Sequence, residues 1–188
     1  MLQLIEKIDH KFFLFVNGNH SEGLDTFFYW ITNKYFWIPF YMLLLFFVQK
    51  HFAKKRWLVL LSVALMIVAS DQGSGLIKNT AERYRPCHNL ELQSQVHLIA
   101  GCGGQYGFVS SHAANTFALA SFFILLFRSR MKWLLFVLFF WASLVSYSRI
   151  YAGVHYPLDI FFGAVLGGFL GIIFYTLYFH FSKKIQHE

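Results

Sequence analysis

Residues 132–180 read KWLLFVLFFWASLVSYSRIYAGVHYPLDIFFGAVLGGFLGIIFYTLYFH. Two apolar runs, 132–148 and 157–180, flank a linker that carries Arg149 and His155, and Asp159 follows just inside the second run. A helix needs roughly 20 apolar residues to cross a hydrocarbon layer. Three more runs share this character, at 35–50, 57–78 and 108–127. The first is short if it begins at Tyr35, but it extends back through Phe27 to Ile31 with Asn33 and Lys34 interrupting it. The spacing predicts an all-α, polytopic transmembrane bundle of five to six spans. Within residues 2–16, Leu2, Ile5, Ile8, Phe12, Phe13 and Val16 recur at roughly helical intervals with charges between them. That pattern predicts an interfacial amphipathic helix.

Composition supports the same reading. Charged residues are 13% of the chain and hydrophobic residues 57%, whereas a soluble domain carries about 25% charge. The length suits one domain, 1–188, with N-terminal and interfacial helices over 1–34 and a catalytic bundle over 57–180. The net charge of +7 would suggest nucleic acid in a soluble protein. Here the cations sit in short loops between apolar runs, where they act as topology determinants. The expected partner is the lipid bilayer, and no nucleic acid is expected. Residues 1–20 carry Glu6, Lys7, Asp9, His10 and Lys11 without an apolar run and small-residue cleavage site. No cleavable signal peptide is therefore expected.

Loop charge gives an orientation. Lys50, Lys54, Lys55 and Arg56 join the first two runs, Arg128, Arg130 and Lys132 join the third and fourth, and Lys183 and Lys184 follow the last. In a five-span reading all of them share one face, which the positive-inside rule makes cytoplasmic. Three polar clusters then fall on the opposite face: Lys78-x6-Arg85-Pro86, Ser110-Ser111-His112, and Ser148-Arg149-x5-His155-x3-Asp159. Four helix ends converge there. Cys87 and Cys102 also lie on that face, in one loop, as a disulfide candidate or as two free thiols. A bridge would close a loop of about 15 residues, worth about 3 kcal/mol in the chain-entropy description. Gly101-Cys102-Gly103-Gly104 suggests a tight turn.

These clusters suit a phosphate. Arg85 and Arg149 present planar forks that match phosphate oxygens, and Lys78 adds a compact charge. Backbone N–H groups at Ser110, Ser111 and His112 open the third run, where a helix N-terminus favours an anion. Two histidines allow one imidazole to attack phosphorus while the other protonates the departing oxygen. Asp159, four residues after His155, is placed to hold the imidazole tautomer. His112 has no carboxylate close in sequence and is the expected acid. Taken singly, a histidine at a membrane boundary is usually structural, and Lys or Arg there usually snorkels to the headgroups. The joint pattern on one face is far more specific.

The clusters resemble the three-part signature of the type-2 phosphatidic acid phosphatase superfamily: Lys-x6-Arg-Pro, Pro-Ser-Gly-His, and Ser-Arg-x5-His-x3-Asp. Lys78, Arg85 and Pro86 match the first part, and Ser148, Arg149, His155 and Asp159 match the third. Ser110 and His112 match the second, with Val109 at the Pro position and Ser111 at the Gly position. The resemblance covers roughly residues 57–180. It implies catalysis by His155, His112 and Asp159 through a phosphohistidine on His155. It also implies phosphate binding by Lys78, Arg85, Ser110, Ser111 and Arg149, with no metal and no cofactor. The superfamily shares its site with vanadium haloperoxidases, so the resemblance implies inhibition by vanadate.

Small size and loop cysteines look like bacterial members, the undecaprenyl-diphosphate phosphatases and lipid A phosphatases. The implied location is the bacterial inner membrane, multi-pass, with the site facing the periplasm. Undecaprenyl diphosphate is the leading expected substrate, because a diphosphate would use all three cations. Lipid A phosphate, phosphatidylglycerol phosphate and phosphatidic acid are the alternatives. A transporter or non-catalytic phospholipid binder is a remote one, since transporters place polar groups near the midplane, often in repeated halves.

Two further features stand out. Asp71 lies two turns before Lys78, either as partner to Lys78 or an arginine, or as a buried carboxylate bonded within the bundle. Gly163, Gly167 and Gly171 repeat every fourth residue, a small-residue face that packs helices within the chain or between copies.

Overall fold

The computed structural model describes residues 1–184, apart from the side chain of Leu2; residues 185–188 of the expected domain lie outside the description. The chain is all-α. Its helices are α1 (Leu2–Gly18), α2 (Glu22–Thr32), α3 (Ile38–Phe52), α4 (Arg56–Ala81), α5 (Ser111–Phe127), α6 (Lys132–Tyr151) and α7 (Pro157–Lys184). By length and composition, α6 and α7 are apolar enough to cross a membrane, and α5 is apolar but shorter.

Local chemistry sets the boundaries. The Ser21 hydroxyl accepts from the Leu24 N–H to cap α2, and Glu22 and Asp25 occupy its first turn, where the dipole favours them. Asn33 then separates the run expected at 35–50 from its extension over 27–31, at the interruption read in the sequence. Its Oδ1 accepts from the Tyr35 N–H at 3.0 Å, competing with helical bonding. A short 3-10 turn over Lys34–Trp37 follows, and Pro39 opens α3. Pro157 likewise opens α7, where its missing N–H costs nothing.

α5 is the central helix. Ala113, Ala114, Ala118, Phe122 and Phe127 on it are buried. Gly163, Gly167 and Gly171 of α7 lie directly against it, so the small-residue face packs within the chain. A Cβ at Gly163 would stand 2.6 Å from the Ser110 carbonyl oxygen, and one at Gly171 2.6 Å from that of Ala118. A second layer, with Leu44 and Val48 of α3, Met66 of α4, and Leu138 and Trp141 of α6, completes the core. The outer surface is apolar too: Phe136, Phe140, Phe161 and Phe169 are exposed.

α1 differs in one respect from the single apolar stripe read in the sequence. Phe13 and Val16 are buried beside Ile150 and Tyr156, whereas Ile5, Ile8 and Phe12 face outward. The buried face includes Asp9 and Asn17, two polar residues with specific partners.

The two ends of the bundle carry different chemistry. At one end Lys50, Lys54, Lys55 and Arg130 line a cavity of about 510 Å³ with Tyr175 and Tyr178. Lys55 Nζ donates to the Ser182 carbonyl at 2.7 Å there. At the other end lie the three polar clusters and the loop between α4 and α5, where Cys87 and Cys102 form a disulfide with Cα atoms 6.2 Å apart.

Candidate active site

His155 sits in the short loop between α6 and α7 and is almost completely buried. Gly153 makes the loop possible. Its φ is +77°, and a Cβ there would lie 2.6 Å from the His97 carbonyl oxygen, so both conformation and space require glycine. His155 Nδ1 faces Asp159 Oδ2 at 3.2 Å, and Nε2 faces Arg85 Nη1 at 3.3 Å. A guanidinium only donates. Nε2 therefore carries the lone pair, and Nδ1 carries the proton that it donates to Asp159. Burial pushes the His155 imidazole down to about 4; Asp159 opposes this, while Arg85 and Arg149 push the same way. At neutral pH it is an uncharged nitrogen base aimed at a cation.

Asp159 is fully buried. Its Oδ2 also accepts from the Tyr156 N–H at 3.0 Å, and its Oδ1 accepts from Arg83 Nη1 at 2.8 Å. Arg83 in turn donates through Nη2 to Asp9 Oδ2 at 2.6 Å and stacks over the Tyr156 ring at 4.3 Å. Asp9 Oδ1 accepts from the Leu158 N–H at 2.9 Å. A chain of hydrogen-bonded groups thus runs Asp9–Arg83–Asp159–His155, the first three of them paired charges. Gly107 packs against it, since a Cβ there would lie 2.9 Å from Asp159 Oδ2.

The cations converge around His155. Arg85 is held by the Tyr106 carbonyl, which accepts from its Nε at 3.2 Å. Arg149 donates through Nη1 to Thr32 Oγ1 at 2.5 Å, and its buried Nε has no partner among the described residues. Lys78 Nζ donates to Ser111 Oγ at 2.6 Å, and that hydroxyl also meets Ser74 Oγ at 2.7 Å. The side chain that replaces the signature glycine is therefore turned back onto α4, where it holds Lys78.

Ser110 is placed differently from a direct phosphate ligand by side chain. It is the N-cap of α5, its hydroxyl accepting from the Ala113 N–H at 3.4 Å. Its own N–H donates to the Asp159 carbonyl at 2.9 Å, so it ties α5 to α7. His112 lies on the first turn of α5, within electrostatic reach of Arg149, His155, Arg85 and Lys78. Ser148 is buried and donates to the Val145 carbonyl at 2.6 Å, a structural role. Asp71 pairs with neither Lys78 nor an arginine and is not buried; its Oδ1 accepts from Asn115 Nδ2 at 2.7 Å.

Asp9, Thr32, Arg83 and Gly107 are site residues that sequence reasoning missed. Arg83 carried one signal, as a cation on the face where positive charge is unexpected. Asp9 carried only its place among the charges of an amphipathic helix, and Thr32 none.

Residues 57–183 match the PAP2 superfamily. A lipid A 4'-phosphatase of Bacteroides thetaiotaomicron is 37% identical over 195 aligned positions, covering all of this chain and 84% of that protein. An undecaprenyl-diphosphatase of Sulfolobus acidocaldarius is 30% identical, covering 87% of this chain and 75% of that one. The fold matches the crystal structure of a transmembrane PAP2-type phosphatidylglycerolphosphate phosphatase from Bacillus subtilis. Its TM-score is 0.71 at 20% identity, over 97% of this chain and 88% of that one. The chain is a membrane protein of the PAP2 superfamily, a lipid phosphate phosphatase.

Proposed function

We propose that the protein removes a phosphate from a lipid A-type glycolipid at the outer face of a bacterial inner membrane. This reverses the substrate order drawn from the sequence, where undecaprenyl diphosphate came first. The full-length relative supports the glycolipid, and the undecaprenyl-diphosphatase is the weaker match.

The observation that carries the mechanism is His155, with its Nδ1 proton on Asp159 and its Nε2 lone pair facing Arg85. A phosphate inserted between Nε2 and Arg85 meets Arg85, Arg149 and Lys78, which neutralise its oxygens. His155 Nε2 attacks phosphorus and forms an N–P bond as the P–O bond to the lipid breaks. His112 gives its proton to the departing lipid oxygen. Asp159 stabilises the positive charge that the imidazole develops, as the carboxylate does in a serine-protease triad. Water then attacks phosphorus, His112 takes its proton, the N–P bond breaks, and inorganic phosphate leaves. The cradle is cationic, so it neutralises phosphate without a metal ion.

The same reading orients the chain. The basic end, with Lys50, Lys54, Lys55 and Arg130, faces the cytoplasm by the positive-inside rule. α3 to α7 then cross the bilayer and α1 lies along the outer interface, its exposed Ile5, Ile8 and Phe12 in lipid. The site and the disulfide face the periplasm, a compartment that permits such a bond.

The test is phosphate release by purified protein in detergent without added metal, from lipid A, undecaprenyl diphosphate, phosphatidylglycerol phosphate and phosphatidic acid. Lipid A is expected to be turned over best, vanadate to inhibit, and His155→Ala to lose about 10⁴-fold or more in kcat. Release that survives His155→Ala overturns the mechanism, and preference for undecaprenyl diphosphate overturns the substrate.

A further inference from the structure

His112 fixes where the leaving group must lie. In a displacement at phosphorus, the departing oxygen is opposite the attacking nitrogen and next to its proton donor. The space beside His112 is a cavity of about 230 Å³ between α2, α4, α5 and α6, lined also by Asp71, Asn115, Trp37 and Tyr41. Its polar groups have an uneven character. Asn115 Nδ2 donates to Asp71 Oδ1 at 2.7 Å. A carboxylate requires the amide nitrogen on that side, so Asn115 Oδ1 points away from Asp71. That oxygen is buried and has no hydrogen-bond partner among the described residues. A buried acceptor left unpaired costs about 1–3 kcal/mol, and the residue that carries it lines the cavity.

An amide oxygen and a carboxylate both accept. They suit a ligand that brings O–H and N–H donors, and the carboxylate repels a second phosphate. Lys34 also lines this cavity, and like Asp71 it is exposed, so solvent weakens its attraction for an anion as it weakens the repulsion from Asp71. Asn115 and Tyr41 also line a second, apolar groove of about 460 Å³ with Leu44, Val48, Val63 and Leu119. A leaving group seated at Asn115 can therefore place hydrocarbon chains against α3 and α4.

We propose that Asp71 and Asn115 form the leaving-group subsite, and that they select a hydroxyl- and amide-bearing sugar over a second phosphate. This rests on the phosphatase mechanism and glycolipid substrate proposed above. It gives Asp71 a part in specificity, although Asp71 itself is not a signature residue of the family.

The experiment measures kcat/KM for lipid A and for undecaprenyl diphosphate with wild type, Asp71→Asn and Asn115→Leu. Asp71→Asn keeps the side-chain shape, so it remains informative if Asn115→Leu fails to fold. The ratio of lipid A to diphosphate turnover is expected to fall about tenfold in each variant. In Asn115→Leu the fall comes through lipid A, and in Asp71→Asn it includes a gain on the diphosphate. A ratio within twofold of wild type in Asp71→Asn overturns the subsite and leaves the glycolipid reading standing. Wild-type preference for the diphosphate overturns the substrate reading itself, whatever the variants do.

Discussion

The segment from α4 to α7 and the N-terminal third, α1 to α3, meet at the same phosphate site in different capacities. The first supplies the groups proposed to meet phosphate: Lys78, Arg85, His112, Arg149 and His155. The second supplies partners for the charges behind them: Asp9 for Arg83, and Thr32 for Arg149. The superfamily match begins at residue 57 and so leaves that third outside it. A buried ionic group is costly until it is paired. The reacting residues therefore depend on neighbours that no motif announces.

The comparison breaks most severely at Arg83. Arg83→Met leaves the Asp9 and Asp159 carboxylates facing each other without their shared cation. Loss of one partner of a buried pair costs about 3–5 kcal/mol, and misplacement of Asp159 is expected to cost about 10²-fold in kcat. Thermal unfolding and single-turnover kinetics would check both. If Asp9→Asn and Arg83→Met each leave kcat within twofold, α1 only packs against the bundle.

Thr32 should give a smaller effect. Thr32→Val keeps the volume and removes the acceptor for Arg149 Nη1, so about tenfold is expected, chiefly in KM for the phosphorylated lipid. Thr32→Ser restores the hydroxyl and should restore KM. Equal losses in both variants would make Thr32 a packing residue.

The smallest effect is a displacement of a pH profile. An ordinary imidazole titrates near 6.5, while burial brings His155 down to about 4. The protonated ring cannot attack, so kcat/KM is expected to fall only as pH drops through about 4. Stopped assays across this range would locate the acid limb. A limb at 6.5 would mean that the ring is not held in a dry site.

Much of the bundle was legible because apolar runs bounded by charge are read directly. The runs at 57–78, 108–127, 132–148 and 157–180 differ from α4 to α7 by no more than four residues at either end. The run at 35–50 matches α3 within three residues, and its possible extension over 27–31 is the separate helix α2. The break falls at Asn33, named in the sequence as an interruption, where the Asn33 side chain accepts from the Tyr35 N–H. At the site, short fixed spacings exposed the histidines and cations. The pairing of Asp9 with Arg83 spans 74 residues, and no local pattern records it. Ser111 was legible as a departure from the signature, but only the structure gives the direction of its hydroxyl.

The contact between α5 and α7 has a mechanical consequence. At Gly163 and Gly171 the helices approach so closely that even a methyl group would meet carbonyl oxygen. His112 rides on one helix, and Asp159, which orients His155, on the other. Their separation is thus gauged by main chain against main chain, with no side chain between to stretch or swivel. A bilayer that thickens or thins must distort the outer helices before it can change the distance between the proposed proton donor and the proposed nucleophile.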